Sequence, residues 1–299
     1  MLKRLLLMVL GAAVSLGGPL RAGESADDYV KSVEAWREAR AARLTAPSGW
    51  LSLIGLHFLA PGENTVGAGD DNDLVLAAGP ASLGTVVLEE SGRVMLRVTP
   101  GAGVRVNQRE VLSAELVPEG RGDTTIVSAG TMSFYVIVRG DKFGLRVKDT
   151  ESERRRHFAG IDYYPIDPAW RITADWVPFE KPREVMISNI LGQESPATVL
   201  GKVVFEHDGR TIELLPLQET LGEPLFFIIA DETSWRETYG AARFVYADPP
   251  VDGKVVIDFN QAINPPCAFT PFATCPLPPK ENVLPIAVTA GEKDYAGEH

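Results

Sequence analysis

Residues 83–107, LGTVVLEESGRVMLRVTPGAGVRVN, decide the fold. Three short β-rich runs, 83–88, 94–98 and 104–107, are separated by the turn clusters Ser91-Gly92-Arg93 and Pro100-Gly101-Ala102-Gly103. β-Branched residues fit a pleated, half-buried surface, and Gly and Pro supply the backbone that reverses the chain. The same rhythm extends from 50 to 149. It brings the turn clusters Gly62-Glu63-Asn64, Gly69-Asp70-Asp71-Asn72, Glu119-Gly120-Arg121-Gly122 and Arg139-Gly140-Asp141, and further runs at 124–127, 134–138 and 143–147. Short strands punctuated every ~8–12 residues predict an all-β sandwich.

The charged stretch ESERRRH, 151–157, has no apolar periodicity and marks a boundary. Beyond it, strands are expected at 170–179, 185–190, 198–207, 211–217, 225–230, 242–246 and 254–259. His207-Asp208-Gly209-Arg210 reads as a hairpin with Asp-Gly as its two loop residues. Strand–helix alternation is missing, which excludes a parallel α/β fold and leaves a small barrel or a second sandwich. Ahead of the β regions, 25–44 predicts one helix. Ser25 and Asp28 suit a capping box, acidic residues cluster at its start, and Arg37, Arg40 and Arg43 lie toward its end. Tyr29, Val33, Trp36 and Arg40 recur at helical spacing, so the helix packs through Tyr29, Val33 and Trp36. The expected fold is mainly β: an N-terminal helix (23–47), a sandwich (48–150) and a second antiparallel β domain (151–299).

The first 22 residues read as a secretory leader. Lys3 and Arg4 precede an apolar run, Gly17-Gly18-Pro19 breaks it, and Ala22 offers a small residue for cleavage. The run is short against the ~20 residues that a membrane span needs. Loss of this leader would take the formal charge from −11 to −14. Such an acidic chain is a poor partner for nucleic acid or anionic lipid. The expectation is an exported, periplasmic or extracellular protein without a membrane span.

Both cysteines lie in DFNQAINPPCAFTPFATCPLPPKEN, 258–282. Seven of the 22 prolines fall between Pro265 and Pro285. Proline lacks an N–H and restricts the residue before it, so this segment is neither helix nor central strand. Its Phe259, Ile263, Phe269, Phe272 and Leu277 nonetheless need burial. In an oxidising compartment Cys267 and Cys275 predict a disulfide, worth roughly 2.5 kcal/mol by loop closure. A zinc site needs further ligands, and no nearby Cys or His supplies them.

Many chemistries have no motif here. The histidines are His57, His157, His207 and His299, and neither a zinc-binding repeat nor a G-x-S-x-G or S-x-x-K nucleophile motif occurs. Gly201-Lys202 is followed by Val203 where a phosphate loop needs Ser or Thr. Gly67-Ala68-Gly69 runs into a turn rather than the helix of a dinucleotide site. No cofactor is implied. Asp70-Asp71-Asn72-Asp73 has carboxylates for calcium but reads as a hairpin turn, and Arg154-Arg155-Arg156 as a charged run rather than an anion clamp. The polar residues around the proline-rich segment are the candidate ligand site: Tyr239, Arg243, Asp258, Asn260, Asn264, Glu281, Asn282 and Glu292. Such a set either binds a polar ligand or satisfies the backbone of a loop rich in unpaired carbonyls.

Several of these residues sit in motifs that resemble a family of bacterial and archaeal proteins of unknown function. The motifs are GWLSLIGLHFLAPGENTVG (49–67), RRHFAGIDYYPID (155–167), TYGAARFVYADPP (238–250), VVIDFNQAINPPCAFTPFATCPLPPKEN (255–282) and AGEK (290–293). The resemblance implies a shared site or core containing Arg243, Asp258, Asn260, Asn264, Cys267, Cys275, Asn282 and Glu292, and no particular activity. The first β region also resembles a forkhead-associated sandwich, in TVGAGDDNDLVL (65–76), GVRVNQREV (103–111) and VSAGTMSFYVIV (127–138). That family reads phosphothreonine through an arginine after its first glycine and a Ser-x-x-His motif. Ala68 follows Gly67 here and PASLGTV (80–86) carries no histidine, so the resemblance implies the scaffold without the phosphopeptide site.

Three functions follow as expectations. The first is a secreted binding module for a small polar or amphipathic ligand held at the mouth of the second domain. The second is a hydrolase using Asp258 or Glu281 with Arg243 as electrophilic stabiliser. The third is a structural or interaction protein of the cell envelope.

Overall fold

The computed structural model describes residues 25–218 and 220–297; the predicted leader lies outside them. The chain is mainly β and divides into two compact units, one spanning Leu44–Phe158 and the other formed by the helix up to Arg43 together with residues 159–297.

The first unit holds eleven strands: β1 (Leu53–Phe58), β2 (Gly62–Gly67), β3 (Leu74–Val75), β4 (Gly84–Leu88), β5 (Val94–Val98), β6 (Arg105–Val106), β7 (Arg109–Glu110), β8 (Ser113–Glu115), β9 (Val127–Ala129), β10 (Met132–Arg139) and β11 (Lys142–Asp149). They form a six-stranded sheet, β1-β11-β10-β9-β6-β7, and a five-stranded sheet, β3-β2-β4-β5-β8. Val86, Val94 and Leu96 from one sheet and Phe134, Val136, Leu145 and Val147 from the other share a single buried core. The alternation in the opening segment is thus what places one row of side chains inside. The run 124–127 is displaced: its strand starts at Val127, because Thr125 turns its hydroxyl to the Val117 N–H at 3.0 Å instead of joining a ladder. Asp73, in the acidic turn, accepts from the Thr65 N–H at 2.8 Å and the Thr65 hydroxyl at 2.7 Å. Those bonds hold its carboxyl below the usual range. Within 151–157 a short helix, α2 (Glu153–Arg156), forms after Ser152. Arg155 in it is not merely solvated, since it donates to the Thr45 and Thr150 carbonyls at 2.6 Å each.

In the second unit, α1 (Ala26–Thr45) starts from reciprocal bonds: the Asp28 N–H donates to Ser25 Oγ at 3.1 Å and the Ser25 hydroxyl to Asp28 at 2.8 Å. Its inward stripe is Tyr29, Val33 and Arg40, with Trp36 only half-buried. Six strands follow: β12 (Arg171–Ser188), β13 (Glu194–His207), β14 (Arg210–Leu214), β15 (Leu225–Ile229), β16 (Arg243–Ala247) and β17 (Lys254–Asp258). A four-stranded sheet, β14-β13-β12-β17, curls with the β15–β16 ribbon around one core containing Val203, Phe205, Leu214, Phe227, Val245, Ile257 and Phe259. The result is a half-barrel. The β13–β14 turn has φ of 49° at Asp208 and 72° at Gly209, the positive pair that a two-residue hairpin requires.

The expected strands at 170–179 and 185–190 are one strand with a break. Pro178 faces Gly201 and Arg183 faces Val199, so Phe179, Glu180, Lys181 and Pro182 stand opposite Leu200 alone. Two prolines within a ladder favour such a bulge, since neither can donate to the partner strand. Gly201 is required opposite it: a Cβ there would lie 2.5 Å from the Trp176 ring and 2.7 Å from the Val177 carbonyl.

Lys148, on β11, donates to the Ser48 carbonyl at 2.6 Å and lies 5.5 Å from the centroid of the Tyr135 ring. Burial, and after it the Arg146 charge, brings its pKa down to about 8. The folded state therefore releases this proton before the unfolded chain does, and stability rises with pH from about 8 to about 10.4. Lys148→Met should remove that rise, read as urea midpoints at about pH 8 and about pH 10.

Candidate functional site

The proline-rich segment forms no strand of its own: three short 3₁₀ turns at Phe259–Gln261, Pro266–Ala268 and Lys280–Asn282 alternate with single bridges from Ile263 to Phe244 and from Pro276 to Asn189. A segment without a ladder must satisfy its carbonyls and N–H groups by other means. The expected site residues do this from separate places, and they do not converge on one pocket.

Asp258 and Asn260 meet at the foot of α1. The Tyr29 hydroxyl donates to both Asp258 oxygens at 3.0 and 3.1 Å, and the Asn260 N–H donates at 3.0 Å. Asn260 also brackets Asp167, accepting from its N–H at 3.0 Å and donating to its carbonyl at 2.8 Å. Burial pushes the Asp258 carboxyl above its usual range, against hydrogen bonds from Asn260 and Tyr29 that pull it down. Burial, then the Asp258 charge, raises the Tyr29 phenol in turn.

Asn264 and Glu292 form a second cluster with Arg40. Arg40 Nε donates to Glu292 Oε1 at 2.8 Å, and its Nη2 to the Asn264 carbonyl at 3.0 Å. Glu292 Oε2 accepts from the Asn264 N–H at 2.6 Å, and the Asn264 amide donates to the Lys293 carbonyl at 2.7 Å. Arg243 is elsewhere again. It donates to Asp231 at 2.7 Å, to the Val288 carbonyl at 2.9 Å and to the Ala290 carbonyl at 2.5 Å. Asn282 spans two strands, accepting from the Leu215 N–H at 2.8 Å and donating to the Leu215 and Ile228 carbonyls at 2.9 and 3.0 Å.

Tyr239 neighbours the two cysteines. Both thiols are buried and the expected bridge is not formed in the structure; the Cys267 N–H instead donates to Cys275 Sγ at 3.1 Å. The neighbouring Cys275 thiol holds Cys267 below the usual thiol range, with burial opposing. Burial, and next the hydrogen bond with Cys267, raises the Tyr239 phenol.

Glu281 stands apart from all of these. It is exposed and lines a cleft of about 780 Å³ beneath the β12 bulge. Phe179, Arg183, Lys202, Glu213 and Leu215 also line it. Arg183 lies 3.7 Å from the centroid of the Phe179 ring, and Lys202 pairs with Glu213 at 2.6 Å on the adjoining strands. The lining combines an apolar aromatic surface with charges of both signs. Among the described residues no group of three or more His, Cys, Asp or Glu is placed to hold a metal ion. No helix among them is long and apolar enough to cross a membrane.

Reading the sequence alone placed Tyr29 and Arg40 in the helical repeat without linking them to the site residues, and it passed over Asp231; these three hold three of the clusters. For Arg40 a signal existed: an arginine in register with Tyr29 and Val33 points inward and needs an anion. Pro178 and Pro182 inside a strand pattern were the corresponding signal for the bulge.

Removing one partner of a buried ion pair leaves the other charge uncompensated. Glu292→Ala should therefore cost about 3–5 kcal/mol in urea unfolding, and Arg40→Met with Glu292→Leu should recover most of the loss.

Residues 156–293, a little under half of the chain and within the second unit save for its first three residues, match the family described as "Protein of unknown function (DUF1684)". No curated protein matches the chain. Among solved structures, it is similar to an uncharacterized protein of Haloarcula marismortui determined by solution NMR, at 29% identity, over 46% of this chain and 78% of that one, with a TM-score of 0.40.

Proposed function

We propose that this chain is an exported binding module that holds a small amphipathic ligand in the cleft beneath the β12 bulge. The observation that carries this reading is the cleft itself. Its volume of about 780 Å³ suits a small ligand, and a built feature of the strand, four residues opposite one, creates it. Phe179 and Leu215 offer an apolar surface, while Arg183, Lys202 and Glu281 offer charge at its margin. Of the residues singled out from sequence, Glu281 is the one that this reading places against ligand.

Hydrolysis through Asp258, Glu281 and Arg243 gains no support. Both Asp258 oxygens accept from Tyr29, Arg243 is spent on Asp231 and two carbonyls, and Glu281 is exposed on the cleft rim. The second reading is an envelope interaction protein, and what favours it is the burial of Arg243, Asp258, Asn260 and Asn264 in internal hydrogen bonds. For the first unit, a forkhead-associated-like scaffold is compatible with two sheets closing on one core, with Ala68 in place of the phosphate-reading arginine.

Native mass spectrometry of protein purified from its own host tests the cleft. A co-purifying mass is expected on the parent and not on Phe179→Ala, because losing ~2 kcal/mol of aromatic burial weakens binding about 30-fold. A parent protein that carries nothing, together with unchanged partners in cross-linking of Phe179→Ala, would sink the ligand reading.

Export also bears on the thiol pair. The proximity of Cys267 and Cys275 supports their oxidation outside the cytoplasm by exchange with a disulfide donor, which takes up the two protons and two electrons. Intact mass before and after reduction should differ by two hydrogens; equal masses for exported protein would remove this proposal.

A further inference from the structure

Residues 231–240, DETSWRETYG, connect β15 to β16 and none of them lines the cleft. At their centre Trp235 is 84% exposed, the most exposed large apolar side chain among the described residues. Its backbone has φ of 65°, in the left-handed region that a bulky residue rarely adopts. Exposure of an indole and a left-handed backbone are both unfavourable, so the surrounding structure must impose them.

That support is buried and polar. Asp231, held by Arg243 at 2.7 Å, accepts from the Thr233 N–H at 2.9 Å and the Thr233 hydroxyl at 2.6 Å. The Thr233 and Thr238 hydroxyls are 2.9 Å apart, and the Trp235 N–H donates to the Thr238 carbonyl at 3.2 Å. Gly240 lies directly against the ring: a Cβ there would stand 2.1 Å from indole Cδ2 and 2.3 Å from Cε3. The glycine backbone thus backs the indole and leaves the rest of the ring to solvent. Glu232, Arg236 and Glu237, around it in the loop, are all exposed.

We propose that this loop is a saccharide-binding platform, in which the open indole surface stacks on the apolar C–H face of a pyranose ring. The Arg236 guanidinium and the Glu232 and Glu237 carboxylates are the donor and acceptors for ring hydroxyls. Size and charge argue for this class of ligand. One indole presents about 150–250 Å², the scale of a single ring, whereas a stable protein interface takes about 800 Å² from each partner. Among the described residues, those bonded to the loop, including Arg243, Cys267, Ile286, Val288, Lys293 and Asp294, lie outside the large exposed apolar set that would extend such a patch. A formal charge of −11 disfavours phosphate-bearing polymers, leaving a neutral ligand with a flat apolar face and a hydroxyl edge.

Tryptophan emission of the full chain, titrated separately with chitopentaose, cellopentaose and maltopentaose, tests the proposal. At least one should shift the emission with Kd of about 1 mM or tighter. Trp235→Gly should abolish that response at an unchanged or higher Tm, since glycine is relaxed at this φ. Trp235→Phe, read by calorimetry, should retain binding. Gly240→Ala, which keeps the indole but displaces it, should weaken binding at least about tenfold. No response to any of the three sugars overturns the proposal, as does binding that survives in Trp235→Gly. Self-association in sedimentation that Trp235→Gly abolishes would overturn it too, by assigning the indole to a contact between copies.

Discussion

A stretch of chain that cannot enter a sheet must still satisfy its backbone, and the second unit is organised around that demand. Proline removes donors from 265–285 and limits the segment to single bridges, yet Ala268 and Phe269 bury themselves completely. On its flanks and on the strands beside it, backbone carbonyls are met by side chains that are themselves buried. Arg40 reaches the Asn264 carbonyl, Arg243 reaches Val288 and Ala290, and Asn282 joins Leu215 to Ile228. Each guanidinium also needs an anion, which Glu292 and Asp231 provide. Helix α1 is bound into the unit by the same logic, through Tyr29 on Asp258 and Arg40 on Glu292.

This division of labour separates the polar residues that build from those that face solvent. A side chain buried in internal hydrogen bonds is withdrawn from any ligand at the surface, however suggestive its chemistry. Glu281 on the cleft rim and the Trp235 indole on the 231–240 loop face solvent instead. The β12 bulge and that loop are shaped by prolines, a close glycine and a left-handed tryptophan, which are features of backbone geometry rather than of a catalytic motif. The two places also differ in kind, since one is a concave surface with mixed charge and the other a single flat ring.

Much of the fold was legible from local pattern. Period-two alternation with Gly and Pro punctuation located β4, β5, β10 and β11, Asp208-Gly209 located its hairpin, and Ser25 with Asp28 located the start of α1. These signals are local because a strand face, a two-residue turn and a helix cap are each specified within a few residues. The break in β12 looked like two strands because prolines interrupt propensity, and only pairing with β13 shows that the ladder resumes after Pro182. The polar residues near the cysteines were read as a set that either binds a ligand or satisfies the backbone of a loop. Their partners were not visible, because Arg40 and Glu292 are 252 residues apart and Tyr29 and Asp258 are 229 apart.

The sequence by itself determined a mainly β chain with one helix ahead of it, an acidic surface, and a proline-stiffened segment that would need buried polar support. Those properties depend on composition, periodicity and the covalent geometry of proline. Tertiary structure alone decided that Asp258, Arg243 and Glu292 hold separate parts of the unit, that Glu281 rims a cleft, and that Trp235 is held out to solvent. Such roles depend on which distant groups share a site, and no short-range signal encodes that.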